Sequence, residues 1–481
     1  MALDWVIKLR SVFSPRVDSV RSMASATRRR KAKVGILAFE AASLMSKLLH
    51  LWRSLSDAQV ARLRRESIAL PGVRRVVSND DAFLLALASA ELAESLRLVG
   101  ESVSALAARC ADPGLLRFGR CFEEFAESGR DVHRWAMSWT EMDAKARKMD
   151  RYVSATAALY KEMDQLWETE LALKRLTQCV GDSRDERHHQ PSVLKMAAVS
   201  DLQHKLFWHK QEVKHLKETS LWGRSFDVVT MLLARSAFTV LSRLKHAFGL
   251  DGGYLTPMPL SSPLPRSLSV SAAVHPSCDM SLEAPLGFSS GPLVATSRKQ
   301  DHGFFDAISA ALQPPPGTLG DAALALQYSN IIVLIERMIQ CPRSIGADAR
   351  DELYAMLPVA VRSLLRSQLR GVGRCSASDA GLAEEWRAAL ARIVGWLAPL
   401  AHNTLRWQAE RSFEQRRGGA SLPADQVLLL QTLCFADREK TEATVVELLV
   451  GLNYVWRFEI EVGSVRAAAL TETAPGCHLH G

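Results

Sequence analysis

From Val34 onward the apolar residues recur mainly three and four positions apart, the spacing that gathers them along one side of an α-helix. The segment VGILAFEAASLMSKLLHLW places Ile36, Leu37, Phe39, Leu44, Met45, Leu48, Leu49 and Trp52 in this way. Ser56 with Gln59 reads as a capping box opening the next helix, Pro71-Gly72 breaks the connection after it, and Asn79-Asp80-Asp81 caps AFLLALASAELAESLRLV. Strand signals do not interrupt the run. Such a chain buries helix against helix, and an all-α fold is expected.

Two further segments sharpen that expectation. Met149, Val153, Thr156, Tyr160, Met163 and Trp167 are separated by four and three residues in alternation, the seam of a coiled coil. The seam lasts under three heptads, and VGDSRDERHHQPS (Val180 to Ser192) follows as a polar turn, so an antiparallel helical hairpin is predicted, its second helix running toward Lys217. Phe226 to Phe248 is apolar nearly all round and should lie centrally. Between Asp251 and Gly317 the pattern stops: ten of the 19 prolines and eleven serines fall in these 67 residues. A stretch so poor in buriable surface reads as a disordered linker, with one helical turn at Phe304 to Leu312. The predicted organisation is an arm (1–33), an N-terminal helical part (34–250), the linker (251–317), a C-terminal helical part (318–465) and a tail (466–481).

Composition narrows the class. With 48% hydrophobic and 23% charged residues in 481, neither wholesale disorder nor a multispanning membrane protein is expected. The longest apolar run, Val228 to Leu241, is shorter than a membrane span and is interrupted by Arg235, so no transmembrane segment is predicted. Eight scattered cysteines without a CxxC pair fit a reducing compartment.

Charge is concentrated at one end. The first 33 residues hold nine Lys/Arg against Asp4 and Asp18, and the other 448 carry 51 basic and 50 acidic side chains. A near-neutral body argues against a DNA-binding core, and no specific nucleic-acid partner is expected. Within the arm, Trp5, Val6, Leu9, Val12 and Phe13 form an apolar stripe, and Arg28, Arg29, Arg30, Lys31 and Lys33 form a basic run. The run suits nuclear import. Stripe and run together suit docking on an anionic membrane surface, while a solvated arm or a Ser/Arg-rich transit peptide are further readings. Charges stand where a secretory signal needs an apolar region, so secretion is not expected.

Catalytic signatures are sparse. His188, His189, His204, His209 and His215 lack the i, i+4 spacing of a helical zinc site, and solvated histidines account for them better. Asp348, Arg350, Asp351 and Glu352 follow Gly346 and read as first-turn charges of a helix. No phosphate loop, nucleophile elbow or kinase set is present, and no cofactor or metal is predicted. His402, Asn403, Trp407, Asn453, Tyr454, Trp456 and Arg457 are polar and aromatic residues amid apolar helix, candidates for a partner groove or for satisfied interior contacts. Ser262, before Pro263, and Ser269, after Leu264 and Arg266, are candidate phosphorylation sites.

The stretches Val34 to Trp52, Met149 to Met163, Ser220 to Gly249, Thr318 to Ile339, Gly346 to Pro358, Trp396 to Gln415 and Lys440 to Glu459 carry one resemblance. Together they resemble the plant family of phytosulfokine-simulator proteins, which carries two serial domains of unknown function. The resemblance implies growth promotion downstream of a sulfated peptide hormone and placement in the nucleus or at the plasma membrane; it supplies no catalytic residue. Ala2 stands where some members have a myristoylated glycine, so acyl anchoring is not expected. The resulting expectation is a non-enzymatic, protein-binding regulator in the nucleus. The alternatives are a membrane-surface adaptor at the plasma-membrane periphery or in the cytoplasm, or an enzyme with an unrecognised C-terminal site.

Overall fold

The structure, a computed structural model, describes residues 32–182, 193–250, 303–341, 346–372, 379–417 and 427–472. Among these residues it is helical, with isolated bridges at Lys33–Ser225 and Thr318–Asp437 and no strand. The all-α expectation holds. Trp5, Val6, Leu9, Val12, Phe13, Arg28, Arg29, Arg30, Lys31, His188, His189, Ser262 and Ser269 lie outside the described residues. No described helix is long and apolar enough to cross a membrane.

The first bundle comprises α1 (Ala38–Ser54), α2 (Asp57–Arg62), α3 (Asp81–Ala107), α4 (Phe118–Ser128), the hairpin α5 (Trp139–Asp182) and α6 (Val193–Thr219), and α7 (Phe226–Phe248). As its sequence demands, α7 is central. Phe238 is ringed by Phe118, Phe122, Phe125 and Trp135 at centroid distances of 5.0 to 5.9 Å. Two turns on, buried Lys245 donates from Nζ to the carbonyls of Phe125 (3.2 Å) and Ala126 (2.5 Å), which satisfies the C-terminal end of α4. Asp80 caps α3 by accepting from the Ala82 amide at 2.9 Å. Ser56 stands at the N-cap of α2 but its side chain makes no capping bond, so the expected box is not formed.

The hairpin forms as predicted, and half of its expected seam is buried: Met149, Thr156 and Met163 are 0%, 1% and 9% exposed. Leu159, Met163 and Val213 are buried between its helices with Leu166 and Leu216 beside them, while Tyr160 and Trp167 of the expected seam are 45% and 39% exposed. The buried line thus keeps the Met149, Thr156, Met163 repeat and takes its other members one residue earlier, at Leu159 and Leu166 instead of Tyr160 and Trp167. Helix α5 also runs through Val180, where the sequence suggested a turn, to Asp182.

The chain is next described at Gly303, and α8 (Phe304–Ala311) is two turns long rather than one. It docks on the first bundle: the Phe304 amide donates to Glu127 at 3.0 Å, Phe305 stacks on Phe122, Ile308 is buried, and Ser309 donates to Glu94 at 3.2 Å.

The second bundle is α9 (Ala325–Gln340), α10 (Ala347–Met356), α11 (Val359–Val372), α12 (Ala380–Arg417) and α13 (Arg438–Glu472). Residues 317–320 pair with 434–438 through Leu319 N to Ala436 O, Gly320 N to Cys434 O, and Arg438 N to Gly317 O, each 2.9 Å. In the core the Tyr328 hydroxyl donates to Glu442 at 3.0 Å, and Arg438 donates to the same oxygen at 2.7 Å. Burial and the Glu442 charge push the Tyr328 hydroxyl well above the usual phenol range.

The bundles interlock. A short helical turn, Val73–Val77, leaves the first and enters the second: Val76 is 2% exposed within the C-terminal core, its carbonyl accepts from the Asp437 amide at 2.6 Å, and Arg75 lies over the Trp396 ring at 5.0 Å. A further cluster joins Leu63, Ile68, Leu84 and Leu87 to Leu429, Leu430 and Phe435. Gly72 permits this approach, because a Cβ there would run into the Trp396 carbonyl and the Leu400 side chain. Gly72→Ala is therefore expected to cost about 1–3 kcal/mol as an overpacking substitution. Denaturant unfolding followed separately in each bundle would check it; an unchanged midpoint would refute the interlock.

Candidate functional site

An apolar concavity of the second bundle lies where α10 and α11 lean against α13 and the end of α9. Gly346 precedes α10 in extended conformation and Asp348 sits in its first turn. Leu357, held extended at φ −66° and ψ 133° before Pro358, ends α10, and α11 departs at Val359. Between the helices is a cleft of about 320 Å³, floored by Leu353, Leu357, Leu365, Leu449 and Leu452. Tyr354, Leu369, Asn453 and Trp456 also line it. Leu449, Leu452, Asn453 and Trp456 share the cleft because i, i+3, i+4 and i+7 fall on one helix face.

Arginines edge this cleft. Arg350 lies over the Trp456 ring at 4.1 Å, and Arg362 and Arg366 lie over Tyr354 at 5.5 and 5.9 Å. Arg366 also donates to the Tyr354 hydroxyl at 2.5 Å. Arg362, Arg366 and Arg370 step by four along α11, so a basic stripe beside the apolar one was present in the sequence; the reading of Arg350 as a first-turn helix charge passed over it.

The seven residues suggested for a partner groove do not converge. Asn453 and Trp456 reach the cleft. Tyr454 is 7% exposed on another face of α13, packed on Ala383, Trp386 and Phe458. Arg457 follows Trp456 on α13. His402 meets Glu336 at 2.6 Å across α9, and Asn403 donates to the Gln431 carbonyl at 3.2 Å. Trp407 faces the first bundle. Of the histidines, His209 meets Glu162 at 2.5 Å and His204 accepts from Trp208 at 3.0 Å. Among the described residues no three His, Cys, Asp or Glu side chains are placed to hold a metal. Lys33, the described end of the basic run, is exposed beside Ser225.

Sequence reasoning missed Glu91, although it stands four residues after Leu87 and seven after Leu84, on the helix face that buries both. It is buried where α3 meets α12 and the 429–431 turn, accepting from the Leu429 amide at 2.6 Å and from Trp407 Nε1 at 3.3 Å. Burial pushes its carboxyl up to about 7; the two donors and the Arg411 charge oppose the shift without cancelling it. Arg411 lies over the Trp407 ring at 4.1 Å.

The fold and this site define an all-helical protein of two interlocked bundles with an open apolar cleft and a buried acid at the junction. Two families of unknown function match it, DUF3475 over residues 36–92 and DUF668 over residues 318–406. The chain is similar to three proteins of Arabidopsis thaliana. It is 26% identical to Protein PSK SIMULATOR 1, across 90% of this chain and 57% of that protein. For Protein PSK SIMULATOR 3 the figures are 25%, 88% and 56%, and for Protein PSK SIMULATOR 2 they are 24%, 90% and 61%. The resemblance read from the sequence is thus shown, and the chain spans less than two thirds of the length of these relatives. No solved structure matches it. The first family match ends one residue beyond Glu91 and the second one residue before Trp407, so their contact joins the edges of the two matched regions.

Glu91 gives the junction a pH dependence. Its native carboxyl holds a proton up to about pH 7, whereas the unfolded chain releases it near 4.5. The native state then binds more protons between these values, and stability falls as pH rises through them, by about 3 kcal/mol in all. Glu91→Gln removes this contribution. The stability difference between wild type and variant, from urea unfolding at pH 4.5 and pH 8, should move by that order against the wild type; parallel pH profiles would contradict the assignment.

Proposed function

We propose that this chain is a non-enzymatic regulator of plant growth, acting in signalling of the phytosulfokine type by binding partner proteins through the cleft of α10, α11 and α13. The observation that carries the reading is an apolar floor left open beside arginines and aromatic rings, the residue types that anchor protein interfaces. The names of the three relatives support the pathway. The strongly shifted groups outside the cleft also favour a structural use. Glu91 and Tyr328 are engaged by internal partners, and the Cys110 thiol is pushed up to about 11 by burial, away from the nucleophilic thiolate. Nuclear placement through Arg28, Arg29, Arg30, Lys31 and Lys33 belongs to the same proposal.

In plant tissue from which the chain has been removed, re-expressed wild type should restore the growth response to phytosulfokine. Tyr354→Asp combined with Leu369→Glu should not restore it at equal protein level. Full restoration by the double variant would remove the cleft from the function. Alanine at the five basic positions of the arm should lower the nuclear share of a fluorescent fusion; an unchanged distribution would count against import by this run.

A further inference from the structure

The cleft also carries information about what enters it. Among the described residues, Arg350, Arg362 and Arg366 are paired with neutral groups and not with carboxylates. Arg350 donates to the Gly346 carbonyl at 3.4 Å, Arg362 to the Leu357 carbonyl at 2.7 Å, and Arg366 to the Tyr354 hydroxyl at 2.5 Å. Each guanidinium also lies over an aromatic ring, which positions its planar fork while leaving N–H groups without a charged acceptor. Asp351 lines the cleft as well, so its immediate lining holds two arginines against one acid. The mouth is basic above an apolar floor.

An occupant must match both. An apolar surface with acidic groups along its border satisfies the floor by burial and the arginines by bidentate pairing. Asn453 adds an amide, half-buried on the α13 wall, which has no hydrogen-bond partner among the described residues. An amide can pair with a peptide group or a polar side chain, and a hydrocarbon chain offers it nothing, which favours a polypeptide over an acyl ligand. The walls are helices, and a groove between helices takes a further helix by its i, i+3 or i+4, and i+7 side chains.

We infer that the cleft receives an amphipathic helix of a partner protein, its apolar stripe on Leu353, Leu365 and Leu452 and its flanking Asp or Glu residues on Arg350 and Arg366. This rests on the partner-binding reading above and names the partner's chemistry.

The test is selection of a displayed library of random peptides of about 16 residues on the full chain. Enriched peptides should show helical apolar spacing with acidic residues beside it. Arg350→Glu with Arg366→Glu should weaken them by about tenfold or more, and replacing the peptide's acids with lysine should recover binding to that variant. Circular dichroism establishes that the variant is folded, and Tyr354→Ala, which leaves both charges in place, should weaken the same peptides. Absence of enrichment, enriched peptides without acids, or indifference to charge reversal overturns the inference. Saturable binding of oleate without any enriched peptide also overturns it, assigning an acyl ligand instead. A failed selection leaves the growth role standing, whereas growth restored by the cleft-blocked chain removes the cleft from that role and leaves the peptide chemistry standing.

Discussion

The architecture depends on a short turn from one bundle being built into the core of the other. Val76 is a core residue of the C-terminal bundle although it is separated in sequence from the rest of that core by the whole remainder of the first bundle. Its carbonyl fixes the start of α13 through Asp437, and Arg75 covers Trp396 beside it. This contact needs a backbone at Gly72 without a side chain, because the turn rests directly on α12. The cleft is formed on α13 further along, so the register of its wall is set in part by residues of the first bundle.

The Pro/Ser-rich stretch bears on the same point. Phe248, just before it, and Leu312, near its end, both pack against the first core and the shared cluster. The chain therefore leaves and re-enters the same body, and α8 re-anchors it before Pro314–Gly317 leads to the second bundle. The close residues 313–317, together with the Val73–Val77 turn, set the spacing of the bundles. The length of the intervening segment does not have to.

Much of this was legible. The central position of α7, the Asp80 cap and the existence of the hairpin follow from patterns within a single helix, where periodicity and capping chemistry act locally. What escaped were features that depend on two distant segments meeting. Glu91 stands on the apolar face of its helix, but the groups that bury and bond it, Leu429 and Trp407, arrive only from the far end of the chain. Lys245 resembles a last-turn cation on a helix dipole, yet it caps a different helix. The same limit divides the seven groove candidates: Asn453 and Tyr454 are adjacent in sequence but face different neighbours, so composition gathered what rotation about α13 separates.

The buried polar groups share a physical role that explains their positions. Burying a polar or charged group is costly unless its hydrogen bonds are supplied, so each such group tolerates a narrow set of arrangements around it. Lys245 requires the last carbonyls of α4, Glu91 requires the 429–431 turn and Trp407, and Glu442 requires Tyr328 and Arg438. Apolar side chains alone would let these helices slide past one another with little change in buried area. A misplaced helix would instead strand a polar group in the core without its hydrogen-bond partners. These groups therefore select one register, and the cleft arginines are the informative exception: they sit at the surface without such an internal acid, where fixing the fold does not account for them.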